Sequence, residues 1–128
     1  MGQPVVHWEL WSENTEALSE FYSQVFDWNV TFIPEMNYHL VDTESDDGIG
    51  GGFMTPQKGP WPGDMALYID VDDLATYRER IEAAGGKVVV PEMDVPGVGS
   101  FMLFEDPDGR VLGCWKQLPK QAASEETE

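Results

Sequence analysis

The sequence predicts an α+β fold: two strand–helix–three-strand (βαβββ) modules that pair into a curled mixed sheet around a shared cavity. Three observations predict it. The apolar period runs from two to helical spacing and back to two, it does so twice, and a Pro/Gly-rich break separates the two passes. The predicted organisation is a first module over residues 1–54, a linker over 55–64, a second module over 65–117 and an acidic tail over 118–128.

In the first module Val5, His7, Glu9 and Trp11 alternate with Val6, Trp8 and Leu10, which reads as a strand whose more apolar face is Val6, Trp8 and Leu10. Asn14 can cap a helix in which Leu18, Phe21, Tyr22, Val25 and Phe26 form one apolar stripe, expected to pack on the sheet. Trp28 to Ile33 and Tyr38 to Val41 read as paired strands, Glu44 to Asp47 as an acidic loop, and Ile49 to Met54 as a short glycine-rich strand. Thr55 to Asp64 holds three prolines and two glycines and cannot be a regular element. Within it Trp61, between Pro60 and Pro62, is a candidate lid over the cavity or a staple between halves.

The pattern then restarts. Leu67, Ile69 and Val71 alternate in a strand, Asp72 or Asp73 caps a helix with the stripe Leu74, Tyr77, Ile81 and Ala84, and Gly85 and Gly86 end it. Lys87 to Val90, Ser100 to Glu105 and Arg110 to Lys116 supply three further strands, the last two joined by an Asp106-Pro107-Asp108-Gly109 turn. A constant offset of 59 residues maps Glu9 onto Tyr68, Phe26 onto Gly85 and Trp28 onto Lys87. Each half has one helix and so can cover only one face of its sheet. The halves must therefore pair, within the chain or across a homodimer, with the uncovered faces lining a shared concavity.

Composition narrows the function classes. A formal charge of −17, from 24 acids against 7 bases, repels phosphate backbones and anionic headgroups, so neither nucleic acid nor membrane is an expected partner. A single cysteine, Cys114, makes no internal disulfide, and Met1-Gly2-Gln3-Pro4 has neither a basic segment nor an apolar signal core. No apolar run approaches the roughly 20 residues that span a bilayer. The expected location is the cytoplasm. Cys114 alternates out of phase with Gly113 and should point at a helix, buried and inert. The Gly48-Ile49-Gly50-Gly51-Gly52 run lacks the Lys-Ser/Thr and helix start of a phosphate loop.

The paired modules, the His7–Leu10 strand followed by Phe21-Tyr22 and Phe26-Asp27-Trp28, the Ile69-Asp70-Val71-Asp72-Asp73 segment and the Asp106-Pro107-Asp108-Gly109 turn together resemble the vicinal oxygen chelate superfamily. That group contains glyoxalase, bleomycin resistance and extradiol dioxygenase proteins, and the resemblance covers about residues 4–117. Metal-active members hold a divalent ion with ligands from the first and last strands of each half. The resemblance places the first such position on His7, and the others on Ala66, near Gly52 and on Gly113, none of which has a ligating side chain. A divalent metal of the usual design is therefore not expected, because a catalytic site needs about three protein ligands. A displaced metal site using His7 and Glu9 with His39 or Tyr68 stays open, as does a purely structural His7.

The candidate acid/base groups are His7 and Glu9, two apart and so on one strand face. By the same alternation Trp11, Met54, Tyr68, Val111 and Trp115 should line an aromatic, apolar pocket, with Gly52 and Gly113 leaving room for an organic ligand or permitting close strand contact. The expected function is a cavity that binds a small organic molecule without a cofactor. The alternatives are a glyoxalase-type lyase or isomerase, or a dioxygenase-like enzyme, using a displaced metal or the His7/Glu9 pair, and a non-catalytic protein-interaction module.

Overall fold

The computed structural model describes residues 2–56 and 65–118. The Trp61 lid or staple, most of the linker and nearly all of the acidic tail lie outside these residues. Along the chain run β1 (Val5–Trp11), α1 (Thr15–Phe26), β2 (Asn29–Ile33), β3 (Tyr38–Asp42) and β4 (Gly51–Met54). The second pass gives β5 (Met65–Asp70), α2 (Leu74–Ala83), β6 (Lys87–Val95), β7 (Gly99–Glu105) and β8 (Val111–Gln117). The strands form one mixed eight-stranded sheet in the order β2-β3-β4-β1-β5-β8-β7-β6. The halves join inside the chain: β1 pairs antiparallel with β5, with Glu9 opposite Ala66 and His7 opposite Tyr68.

Element ends shift from the sequence reading for identifiable reasons. Asp27 adopts a left-handed conformation (φ 59) and stops α1, leaving Trp28 outside β2 to pack against the helix. Its ring lies 4.9 Å from Tyr22 at 9° and 5.2 Å from Trp8. A single 3₁₀ turn, Pro34–Met36, reverses the chain between β2 and β3. The glycine-rich strand begins at Gly51 rather than Ile49, because only from there does it pair with β1 and β3. β6 continues past Val90, where Pro91 would end an interior strand. It is an edge strand bonded only to β7, and register shifts between Val88 and Met93 absorb the missing N–H.

Both helices lie on one side of the sheet. Beneath α2, Val71, Leu74, Met102 and Cys114 form a buried cluster with Tyr77, Ile81, Val88 and Phe104 against it. Cys114 thus faces a helix, and burial pushes its thiol up to about 11. Beneath α1 the packing is aromatic: Phe53, fully buried, lies 5.8 Å from Tyr22 and 6.2 Å from Trp8 between ring centroids. The expected α1 stripe is only half seated. Leu18 and Tyr22 are partly buried, whereas Phe21, Val25 and Phe26 are exposed.

The Asp106–Gly109 turn forms as read. Asp106 Oδ1 accepts from the backbone N–H groups of Asp108 (2.8 Å) and Arg110 (3.0 Å), and Gly109 takes the positive φ of 91° that the turn requires.

Candidate functional site

The helix-free face of the sheet carries the sequence-predicted residues. His7, Glu9 and Trp11 alternate onto it from β1, and the pairing of Glu9 with Gly52 and of Trp11 with Met54 places Met54 there as well. Register across β1–β5 adds Ala66 and Tyr68, and register across β5–β8 pairs Tyr68 with Gly113. Val111, Trp115, Val89 and Phe101 pack around the buried cluster of Ala66, Tyr68, Val90 and Leu103. The predicted residues therefore share a face but form two groups. His7, Glu9, Trp11 and Tyr68 meet through polar contacts, with Met54 beside them in register, while Val111 and Trp115 back Tyr68 from the second half.

Glu9 is the centre of the first group. It is 5% exposed, and its Oε1 accepts from the Tyr68 hydroxyl at 2.9 Å and the Trp11 indole N–H at 3.1 Å. The Tyr38 ring borders the same carboxylate, lying over Gly52, the β4 partner of Glu9. His7 Nε2 lies 2.7 Å from the same Tyr38 oxygen. The His7 ring is nearly parallel to that of Tyr38 (centroids 6.2 Å apart, 24°) and edge-on to that of Tyr68 (5.8 Å, 62°). The result is two hydrogen-bonded groups on one face, Glu9 with Tyr68 and Trp11, and His7 with Tyr38.

Burial sets the protonation preferences. It lowers His7 to about 4, so the imidazole is neutral near pH 7. It raises the Glu9 carboxyl, opposed by the neighbouring Tyr38, Tyr68 and Trp11 side chains. Both phenols are raised well beyond the usual tyrosine range by burial and by the adjacent Glu9 charge. They act as hydrogen-bonding hydroxyls, not phenolates.

Tyr38 was invisible to the sequence reading, and the glycines were its signal. A Cβ built on Gly52 would lie 2.1 Å from the Tyr38 ring, and one on Gly113 would lie 2.3 Å from the Tyr68 ring. The space that these glycines leave is therefore taken by two tyrosine rings, not by open room for an organic ligand. Of the two readings of a glycine in a strand, close approach is the correct one. Ala66, at a third expected ligand position, is 2% exposed and in the apolar cluster.

His39 does not join this site. It pairs with Phe53 on the helix-covered face, with its ring 4.7 Å from Phe32 and its Nδ1 buried without a hydrogen-bond partner among the described residues. A displaced site built from His7, Glu9 and His39 is thereby excluded by the parity of β3. An open groove of about 400 Å³ lies on that side, lined by Glu13, Thr15, Glu16, Phe32, Asn37 and His39. No group of three or more His, Cys, Asp or Glu side chains among the described residues is placed to hold a metal ion. No described helix is long and apolar enough to cross a membrane.

Residues 5–112 match the Glyoxalase/Bleomycin resistance protein/Dioxygenase superfamily, and the chain belongs to that family. It is 28% identical over 124 residues to the anthracycline biosynthesis protein DnrV of Streptomyces peucetius, covering 85% of this chain and 45% of that protein. It is 33% identical over 85 residues to the putative glyoxylase CFP32 of Mycobacterium bovis, covering 66% of this chain and 32% of that protein. The chain thus spans less than half the length of these curated relatives. Methylmalonyl-CoA epimerase from Mycobacterium tuberculosis shares the fold with a TM-score of 0.68 and 15% identity, covering 93% of this chain and 91% of that one. The Mn(II)-bound glyoxalase from Novosphingobium aromaticivorans does so with a TM-score of 0.68 and 16% identity, covering 90% and 38%. At these identities the likeness concerns the fold alone.

Proposed function

We propose that this chain is a small-molecule-binding member of its family whose ligand lies on the helix-free face against His7, without the divalent ion that the family resemblance implies. The observation that carries the reading is the pair of tyrosine rings over Gly52 and Gly113, with the Tyr68 hydroxyl bonded to Glu9 and the Tyr38 hydroxyl to His7. Of the positions that would hold the ion, only His7 offers a donor atom. Gly52, Ala66 and Gly113 offer none, and Glu9 Oε1 is already engaged by Tyr68 and Trp11. This donor set does not fit a metal cage. What the face does offer is apolar and aromatic surface: Leu40, opposite Gly52, is 40% exposed, and Phe101 and Trp115 are half-buried. A relative named for anthracycline biosynthesis is in keeping with an organic ligand.

The test is metal analysis of protein purified without chelator, followed by zinc, nickel, manganese and iron titrations and a thermal-shift screen of metabolites and antibiotics. Substoichiometric metal is expected, with ligand-dependent shifts that are diminished by Trp115→Ala and His7→Ala. Stoichiometric, tight metal binding that disappears in His7→Ala overturns the reading.

One observation favours a second reading, a metal-free acid–base enzyme. His7 and Glu9 alternate onto one face, and the His7 imidazole, neutral near pH 7, can take a proton from a ligand. Turnover of the methylglyoxal–glutathione adduct is the assay, with loss expected in both His7→Ala and Glu9→Gln. Turnover that survives both substitutions excludes this role for the pair.

A further inference from the structure

We propose that the back of the β1–β5 junction is the surface through which two copies of this chain associate, on the side of the sheet opposite to His7 and Glu9. These two strands show contrary burial on their two faces. On the face without helices Glu9, Trp11, Ala66 and Tyr68 are buried, whereas on the helix side Met65 and Leu67 are 56% and 38% exposed. A sheet face that is buried with no helix over it is the inside of a curl, and the face behind it is the outside. The helices leave that outside bare at its centre: α1 rests mainly on β4 and β2, and α2 on β6, β7 and β8. Between them runs a strip in which Val5 stands opposite Ile69, Trp8 opposite Leu67 and Leu10 opposite Met65.

The strip selects its occupant by charge, symmetry and area. All six of its side chains are apolar, on a chain of formal charge −17. It therefore offers no carboxylate to a basic partner, and the surface that matches it is another apolar, uncharged one, which a second copy carries. Trp8 is paired with Leu67, its own repeat mate at the offset of 59, so the local two-fold axis between the modules crosses the sheet at this pair. A contact that a second copy makes on one side of that axis then recurs on the other. A stable interface covers about 800 Å² on each partner, more than six side chains on two strands supply. The exposed Phe26 extends the apolar surface, joined to Trp8 through Trp28 by ring contacts of 5.8 and 5.2 Å, and the flanks of the helices complete the rim. Turning the second copy about an axis parallel to the strands keeps the two sheets aligned. It also sets α1, which carries Glu16 and Glu20 and no base, against α2 of the second copy, which carries Arg78 and Arg80.

Sedimentation velocity of the full chain between about 1 and 100 µM tests the surface. A reversible dimer is expected, and Met65→Ser/Leu67→Ser should raise its dissociation constant at least about tenfold. Val98→Ser, at an exposed apolar position in the β6–β7 turn, should leave the constant unchanged. A wild type that stays monomeric throughout overturns the inference and leaves the strip to another occupant. A dimer that the double substitution does not weaken, or that Val98→Ser weakens equally, places the interface elsewhere and overturns it too. Cross-linking keeps the test independent of how well the double variant folds. A short bismaleimide should join two copies through Leu67→Cys, which stands at the local axis, and not through Val98→Cys, since the native Cys114 is buried. Equal yields from the two overturn the inference. The ligand reading is unaffected by either result, because His7 and Glu9 lie on the other face.

Discussion

α2 seats Leu74 at 2% exposure in a cluster with Val71, Met102 and Cys114, whereas α1 buries no residue and leaves Phe21, Val25 and Phe26 54%, 54% and 56% exposed. The same chain path is therefore held in two ways. The second half closes on an aliphatic and sulfur core under its helix. The first half relies on a stack of aromatic rings around Phe53 and, on the other face, on the polar cluster around Glu9. The polar side chains divide unevenly as a result: β1 and β3 contribute His7, Glu9, Trp11 and Tyr38, while the second half contributes the single hydroxyl of Tyr68. Internal repetition supplied the scaffold twice, and most of the polar side chains around Glu9 come from one copy. Both halves nonetheless solve the vacated ligand position in the same manner, with a tyrosine ring over a glycine.

Truncation of each half's fully buried anchor gives the largest expected effect. Phe53→Ala should cost about 3–5 kcal/mol and Leu103→Ala about 2–5 kcal/mol in chemical denaturation, since both are 0% exposed. Near-equal losses of well under 1 kcal/mol would show that neither half depends on these anchors.

The pH dependence of stability comes next and belongs to the first half. His7 is held near 4 in the folded chain against an ordinary 6.5. The unfolded chain therefore takes up this proton first as pH falls. Stability present above pH 6.5 is lost progressively towards pH 4, by about 3 kcal/mol. Glu9 acts with the opposite sign: its raised carboxyl lets the unfolded chain ionise first, so its contribution falls as pH rises above about 4.5. His7→Gln should flatten the acid limb in urea titrations between pH 4 and 7, and Glu9→Gln should steepen it. A profile that neither substitution alters contradicts the burial of both groups.

Smaller effects are expected at the two glycines. Gly52→Ala and Gly113→Ala should each cost about 1–3 kcal/mol through collision with Tyr38 and Tyr68. Double-mutant cycles sharpen the comparison. Tyr38→Ala should abolish most of the Gly52→Ala cost. Tyr68→Ala should relieve only part of the Gly113→Ala cost, because the added Cβ would still lie 3.2 Å from Leu103. Additive cycles would mean that the rings do not occupy these spaces.

The helix starts give the smallest difference. Asn14 Oδ1 accepts from the Ala17 N–H at 3.1 Å, so Asn14→Ala should cost about 1 kcal/mol. At α2 the Asp73 side chain makes no capping bond to the backbone and engages the Thr76 hydroxyl instead, so Asp73→Ala should cost less. The reverse order in thermal melts would place the stronger cap in the second half.

The sequence by itself determined the two modules, the location of both helices, the Asp106–Gly109 turn and the shared face of His7, Glu9, Trp11, Met54, Tyr68, Val111 and Trp115. Those features depend on local periodicity, on turn chemistry and on the strict alternation of a strand, all of which are written in neighbouring residues. The offset of 59 that mapped Glu9 onto Tyr68 also joined the two residues that meet at 2.9 Å. Tertiary structure alone decided that β1 pairs with β5 inside one chain, that β6 runs through Pro91 at an edge, and that His39 faces the helices. It also decided that Tyr38, 29 positions from Glu9 in sequence, reaches over Gly52 and bonds His7. Such contacts arise from strand register and from the order of strands in the sheet. Register between distant strands is set by the packing of the whole face, not by any run of residues within one of them.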